Sequence, residues 1–299
     1  MRANYKKTAI ILGLSVILIG WGGTIFAKKI NNNVSINAQA QENKKEEEKV
    51  VNYVGTNEEG KKYTYDAKKV ADKLAKYDYS NDGKKVVFLT FDDGTSKTNT
   101  PEILRILDEN NVKATFFLTG SNIENGGEKA KELIKEEFDK GHAIANHGYS
   151  HDCKKLYPGR YLDIDAFKED FKKNEELLKS VLGDNFSTRV LRCPGGYMSW
   201  KGMEPLDRYL DENKLVSIDW NALNEDAINF NASSYELNQK ILKDVRRQKT
   251  SIVLMHDLHE TKNTVKGLDS LIKTLKKEGY QILPITKNTK PIHHVSIDK

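Results

Sequence analysis

Apolar residues along the chain gather into short continuous runs at positions 86–91, 114–118, 143–145, 189–191, 215–218, 252–255 and 280–285. Runs of that length bounded by polar residues predict strands buried on both faces. Between them the apolar positions recur every three or four residues. Ile103, Leu104, Ile106 and Leu107 follow Thr100-Pro101-Glu102, which predicts a helix with Thr100 as its N-cap and proline at its first position. Phe167, Phe171, Leu177, Leu178 and Val181 repeat the stripe before Gly183, and Leu268, Leu271, Ile272 and Leu275 do so before Gly279, each with a glycine placed to end a helix. Strands alternating with amphipathic helices predict an α/β fold with a parallel sheet under helices. Seven such units suit a distorted (β/α) barrel of about seven parallel strands, with an open doubly wound sheet as the alternative.

The ends of the chain have other patterns. Residues 8–27 form a run of twenty without a charge, with Arg2, Lys6 and Lys7 before it and Lys28 and Lys29 after it. Twenty helical residues span about 30 Å, the thickness of a bilayer's hydrocarbon core. A single transmembrane anchor is therefore expected over 1–29, with a cleaved signal peptide as the alternative; its small-x-small site, Ala38-Gln39-Ala40, lies well past the apolar run. Residues 30–83 are polar and rich in Asn, Lys and Glu, too poor in apolar surface to offset their ordering entropy, and read as a flexible tether. Apolar stretches around Tyr53 and from Tyr63 to Leu74 are candidates to dock on the main domain. That domain is assigned 84–287, followed by a tail at 288–299.

Composition narrows the class. The 299 residues are 38% apolar and 30% charged, ordinary for a globular protein. The net charge of +5, from 48 basic and 43 acidic residues, is too small and too evenly spread for a nucleic-acid surface. Cys153 and Cys193 are the only cysteines, too few for a disulfide framework, and either a single bridge or two free thiols fits them.

Chemistry concentrates after the strands. The first ends in Thr90-Phe91-Asp92-Asp93-Gly94, the third in Asn146-His147-Gly148-Tyr149-Ser150-His151, the fourth in Arg192-Cys193-Pro194-Gly195-Gly196, the fifth in Asp219-Trp220 and the sixth in His256-Asp257. The carboxyl ends of parallel strands share one face, so these segments are expected to converge. His147 and His151 are spaced i, i+4, so one helical turn would place both imidazoles on the same side as paired metal ligands, and with Asp93 they make the two-imidazole, one-carboxylate set of a catalytic zinc or similar divalent ion. Asp92, beside such a cation but outside its ligand set, suits a general base, and Arg192 suits the fixed cation that orients it through paired hydrogen bonds. Gly195 and Gly196 let a backbone N–H approach a substrate oxygen as an oxyanion donor does. His256 emerges where an acid protonates a leaving group, with Asp219 to orient it and Trp220 and Leu254 as apolar walls for a small acyl group.

As an ordered set these motifs resemble the polysaccharide deacetylases of the NodB-homology type, carbohydrate esterase family four, over residues 84–286. Thr90 to Gly94 matches the family's first motif, in which the earlier aspartate is the base and the later one binds metal. His147 and His151 match its metal histidines, Arg192 to Gly196 its arginine-proline-glycine motif, and Asp219-Trp220 and Leu254-Met255-His256 its last two. There the histidine acts as acid and the leucine lines the acetate pocket. Two departures stand out. The family usually has Ser or Thr where this chain has Gly148, which removes a hydrogen bond that steadies the metal loop. A bulkier residue, often aromatic, commonly stands at Gly195, so that wall of the sugar site is expected to be more open.

The resemblance implies metal-dependent removal of N-acetyl groups from amino sugars, with Zn²⁺ as cofactor and Co²⁺ or Ni²⁺ as alternatives. An anchor and tether favour a cell-wall polysaccharide just outside the membrane, N-acetylglucosamine of peptidoglycan first. Poly-N-acetylglucosamine or chitin-like oligomers come next and acetylated xylan last. The protein is expected to be a single-pass membrane monomer with its catalytic domain extracytoplasmic, or else secreted. The rival readings are a cell-wall amidase or peptidase using the same metal and an inactive glycan-binding module of the same fold.

Overall fold

The computed structural model describes residues 53–63, 65–78 and 83–286. The apolar run at 8–27 and the tail at 288–299 lie outside the described residues. Among the described residues no helix is long and apolar enough to cross a membrane.

The seven expected strands are β3 (Lys85–Asp93), β4 (Thr115–Leu118), β5 (Ala143–Asn146), β7 (Val190–Leu191), β8 (Val216–Ser217), β10 (Thr250–His256) and β11 (Tyr280–Ile282). A further strand, β9 (Ala222–Leu223), is too short to be seen as an apolar run. The sheet order is β8-β7-β5-β4-β3-β10-β9, all parallel. β10 takes one whole edge of β3. On the other edge β11 pairs with residues 85–87 and β4 with residues 90–93. Chain order therefore advances one way around the sheet without reversing, which is barrel winding rather than the doubly wound alternative. The result is a curled half-barrel in which β8 and β9 are not hydrogen-bonded to each other. With two residues each, β7, β8 and β9 are too short to close the ladder.

The helices cover the outside. Those between the long strands are α3 (Asn99–Glu109), α4 (Gly120–Asp139), α6 (Ile164–Leu182), α8 (Ser234–Val245) and α9 (Lys262–Lys277). The first starts slightly earlier than its sequence suggests. The Ser96 hydroxyl accepts from the Asn99 N–H, while the Thr100 hydroxyl, expected as the cap, donates instead to the Asp257 carboxylate. Gly183 and Gly279, with φ of +99° and +84°, stand just past α6 and α9 where a left-handed residue is needed.

Strand alternation sorts β3 into two cores. Val87, Leu89 and Phe91 pack outward against the helices, and Val86 and Phe88 pack inward. Thr90 and Asp92 continue the inward register. In β10, Val253 and Met255 face the helices and Ile252 faces inward, which carries Leu254 and His256 inward as well. The inner core ends at the carboxyl rim, where polar side chains take over.

Part of the stretch read as tether is built into the fold. Residues Tyr53–Val54 pair in parallel with β6 (Phe186–Ser187), and Tyr65–Asp66 pair with Ile285–Thr286. The Thr56 hydroxyl donates to the His142 carbonyl at 2.9 Å and the Asn57 amide donates to the Phe138 carbonyl at 2.6 Å. Gly60 meets Gly141 so closely that a Cβ on Gly60 would lie 2.3 Å from the Gly141 oxygen. Helix α2 (Ala67–Ala75) buries Val70 and Ala71 completely among Val86, Phe88, Val216 and Ile285, plugging the amino-terminal end of the barrel.

Candidate metal centre and catalytic rim

Inward register brings the expected residues together. His147 and Arg192 each follow directly on a strand that pairs in the sheet, and Asp92 lies opposite His256 in the β3–β10 ladder. Arg192 is fully buried. Its Nη1 donates to Asp92 Oδ1 at 2.6 Å and to the Thr90 hydroxyl at 2.9 Å, its Nε to the Ile218 carbonyl at 2.9 Å, and its Nη2 to the Asp219 carbonyl at 3.3 Å. The Phe117 ring lies 4.0 Å from the guanidinium carbon. The contact with Asp92 is a single charged hydrogen bond rather than the paired one expected from sequence, because the other guanidinium nitrogens are spent on backbone carbonyls.

Asp93, His147 and His151 offer ligand atoms that all lie within 4.8 Å of one another. Asp93 Oδ1 is 3.8 Å from Nε2 of each histidine. Ligands held about 2.0–2.2 Å from a tetrahedral ion stand roughly 3.3–3.6 Å apart, so the set fits a divalent ion with small adjustment. The His147 Nδ1 faces the Arg192 carbonyl at 2.8 Å; donating there leaves the Nε2 lone pair for a ligand bond. Burial pushes His147 down from the ordinary imidazole pKa against the pull of Asp92 and Asp93, which favours the neutral, ligating form.

The two histidines meet by a route other than the helical turn suggested by their spacing. Residues 147–151 form a loop with left-handed backbone at Gly148 (φ +80°) and His151 (φ +51°). Asp93 is left-handed too, at φ +73°, and its carbonyl accepts from the Thr119 hydroxyl and the Asn122 amide, both at 3.0 Å. Two of the three candidate ligands thus sit in backbone that side chains rarely adopt, held there by their surroundings. Gly148 is required by its φ, and a Cβ there would lie 2.8 Å from Asp170 Oδ2. The steadying bond that glycine cannot make comes instead from Asp170 on α6, which accepts from the Tyr149 and Ser150 N–H groups at 2.7 and 3.2 Å.

The acid candidate has a different partner from the one expected. His256 Nδ1 lies 2.7 Å from Asp226 Oδ1, and Asp226 Oδ2 accepts from the His256 N–H at 3.1 Å and the Thr264 hydroxyl at 2.7 Å. Asp219 instead accepts from the Tyr197 N–H at 3.1 Å and so fixes the turn that contains Gly195 and Gly196. The reason is β9: the chain leaves β8 at Asp219 beside that turn, then runs along β10 and delivers Asp226 to His256. Burial alone would lower His256, but the hydrogen bond and charge of Asp226, joined by Asp92 and Asp93, outweigh it and hold the imidazole above its ordinary pKa.

Leu254 is buried at the inner mouth and Trp220, half-buried, packs on the inner core. Trp220 also lies over Gly196, where a Cβ would be 2.8 Å from its ring. Gly195 has φ +76° and a Cβ there would be 3.0 Å from the Trp200 ring, so the place of a bulkier side chain is filled from a neighbouring position. Cys153 and Cys193 are both free thiols.

Residues 79–203 match the family described as Polysaccharide deacetylase. A peptidoglycan-N-acetylglucosamine deacetylase of Bacillus cereus is 30% identical over 219 residues, covering 71% of this chain and 72% of that protein. The chain belongs to the polysaccharide deacetylase family. A second relative, the peptidoglycan-N-acetylglucosamine deacetylase PgdA of Listeria monocytogenes, is 32% identical over 203 residues, which are 67% of this chain and 38% of PgdA. Among solved structures, a Streptococcus mutans CE4 esterase matches with a TM-score of 0.70 and 31% identity over 79% of this chain and 97% of that one. The residues of the rim that sequence reasoning missed are Asp226, Thr264 and Asp170. Nothing in their local sequence separates them from other loop and helix polar residues, because their roles depend on which strand end they reach.

Proposed function

We propose that this protein hydrolyses the N-acetyl group of an amino sugar in a cell-surface polysaccharide, N-acetylglucosamine of peptidoglycan. The observation that carries the reading is the convergence on one rim of the Asp92–Arg192 pair, the Asp93–His147–His151 set and the Asp226–His256 pair. A divalent ion held by Asp93, His147 and His151, Zn²⁺ or else Co²⁺ or Ni²⁺, supplies Lewis acidity to the amide carbonyl and to the attacking water. Asp92, fixed by Arg192, takes the proton from that water as its oxygen adds to the carbonyl carbon. The Gly195 N–H donates to the oxygen on which charge develops. His256, its pKa raised by the hydrogen bond and charge of Asp226 against the effect of burial, gives its proton to the sugar nitrogen as the carbon–nitrogen bond breaks, leaving acetate and a free amine. Leu254 and Trp220 enclose the acetyl methyl group. The apolar run at 8–27 would hold the catalytic unit at the outer face of a membrane, within reach of the wall.

The test is acetate release from purified cell wall and from N-acetylglucosamine oligomers. Release is expected to stop on chelation and return with added Zn²⁺, Co²⁺ or Ni²⁺. Liberated peptides with acetyl groups intact would make the protein an amidase and overturn the assignment. Chitin-like oligomers deacetylated in preference to cell wall would change the substrate.

Asp226 gives a second expectation. In Asp226→Asn the groups that raise His256 are weakened while burial remains, so its pKa falls. An acid must be protonated to act, so the alkaline limb of the kcat profile is expected to move to lower pH. An unchanged limb would remove His256 from the role of acid.

A further inference from the structure

We infer that Trp200 is a specificity-determining residue that receives a sugar ring of the substrate beside the Gly195–Gly196 turn, an inference that rests on the deacetylase reading of the rim. The indole is fixed in an unusual number of ways for a side chain at a rim. Its Nε1–H donates to the Pro194 carbonyl at 2.8 Å. One face is stacked on Tyr157, with ring centroids 4.1 Å apart and planes within 7°. Tyr157 is itself buried, so the exposure that Trp200 keeps lies on its other face and edge. The segment carrying it is pinned to residues 160–162 by backbone bonds from Lys201 N–H to the Arg160 carbonyl and from Leu162 N–H to the Lys201 carbonyl. One side of the indole packs on the buried cluster that contains Leu156, Tyr157 and Met203 while part of the ring stays exposed, so its ordering cost has already been met before any ligand arrives.

The position of the indole gives it a partner. A Cβ on Gly195, whose N–H is assigned as the oxyanion donor, would meet the Trp200 ring at 3.0 Å, and a Cβ on Gly196 would meet Trp220 at 2.8 Å, with the Trp220 ring 5.6 Å from the Arg192 guanidinium. Each glycine of the turn thus lies against a tryptophan. Trp220 belongs to the acetyl pocket and Trp200 to the wall outside it, where the pyranose ring must lie if the acetyl group is seated. A pyranose presents a flat face of axial C–H groups that packs on a rigid aromatic surface, and such a surface binds ground state and transition state alike. Met198 and Tyr161, 61% and 57% exposed, extend the apolar rim from Trp200 and suit a polymer rather than a single sugar.

The experiment compares Trp200→Ala and Trp200→Phe with the full-length wild type. Acetate release from N-acetylglucosamine oligomers is measured, and oligomer binding is titrated separately by calorimetry. For Trp200→Ala we expect KM and the calorimetric Kd to rise about tenfold, about 1.4 kcal/mol, with kcat within roughly threefold. Trp200→Phe keeps a flat ring and is expected to recover most of the affinity. A drop in kcat at unchanged KM and Kd would overturn the proposal and make Trp200 a prop for Gly195. Unchanged parameters in both variants would overturn it as well. The binding titration separates the two levels: if the wild type releases no acetate yet binds oligomers and loses that binding with Trp200→Ala, the platform stands while the reaction assigned to the rim falls.

Discussion

Asp92→Asn is expected to lower acetate release by about 10²–10⁴-fold while the divalent ion stays bound, the span typical for loss of a general base. The amide is nearly the same size as the carboxylate, so the pocket keeps its shape, and Asp93, His147 and His151 are all retained, although His147 Nε2 loses the charge that Asp92 Oδ2 places 3.4 Å away. What changes is charge. The amide cannot accept the proton of water, and the Arg192 cation, fully buried, loses its 2.6 Å anionic partner. Removing one member of a buried pair typically costs about 3–5 kcal/mol, so a fall in thermal stability is expected beside the fall in rate. The bonds of Arg192 to Thr90 and Ile218 remain to limit it. Metal content, melting temperature and acetate release should therefore be measured on the same preparation. A metal-loaded, folded Asp92→Asn variant with wild-type rate would strip Asp92 of the base role.

A chain beginning at residue 84, where sequence places the start of the folded domain, is expected to be largely unfolded or insoluble, whereas one beginning at residue 51 should fold. Burying a valine such as Val70 contributes about 1.5–3 kcal/mol, and each hydrogen bond from Thr56 and Asn57 about 1 kcal/mol. Together with Ala71 and the two short strand pairings these terms approach the 5–15 kcal/mol that typically separates a folded domain from its unfolded chain. Deletion also bares Val86, Phe88, Val216 and Ile285, an apolar surface at the barrel end. Melting curves of the two chains decide it: a difference of only a few degrees would show the plug to be dispensable.

Legibility in the sequence followed the range of each signal. β3 and β10 are nine and seven residues long, and their apolar runs locate them directly. Once they are strands, alternation alone carries Asp92 and His256 to the inner rim. The parallel alternation of strand and helix likewise implied that the ends of β3, β5 and β7 would meet: the metal set forms from the first two, and the third adds Arg192. What escaped were features without local pattern. β9 has two residues, and missing it made Asp219 the natural partner of His256 when the chain in fact brings Asp226 there. Composition alone made 53–78 part of the tether, while the apolar stretches picked out around Tyr53 and from Tyr63 to Leu74 do dock: Val70, Ala71 and Leu74 are few among lysines, yet their spacing puts them on one face of a helix that fills the barrel end. The histidine loop shows a third case: i, i+4 spacing suggested a helical turn, while Gly148 produces the same convergence through left-handed backbone.

Residues 53–75 are fastened to the pole where the strands begin, and the reactive groups lie at the pole where they end. A pulling force applied at residue 53 would therefore load the bonds of Gly55, Thr56 and Asn57 before it reached the strands that carry Asp92 and His256.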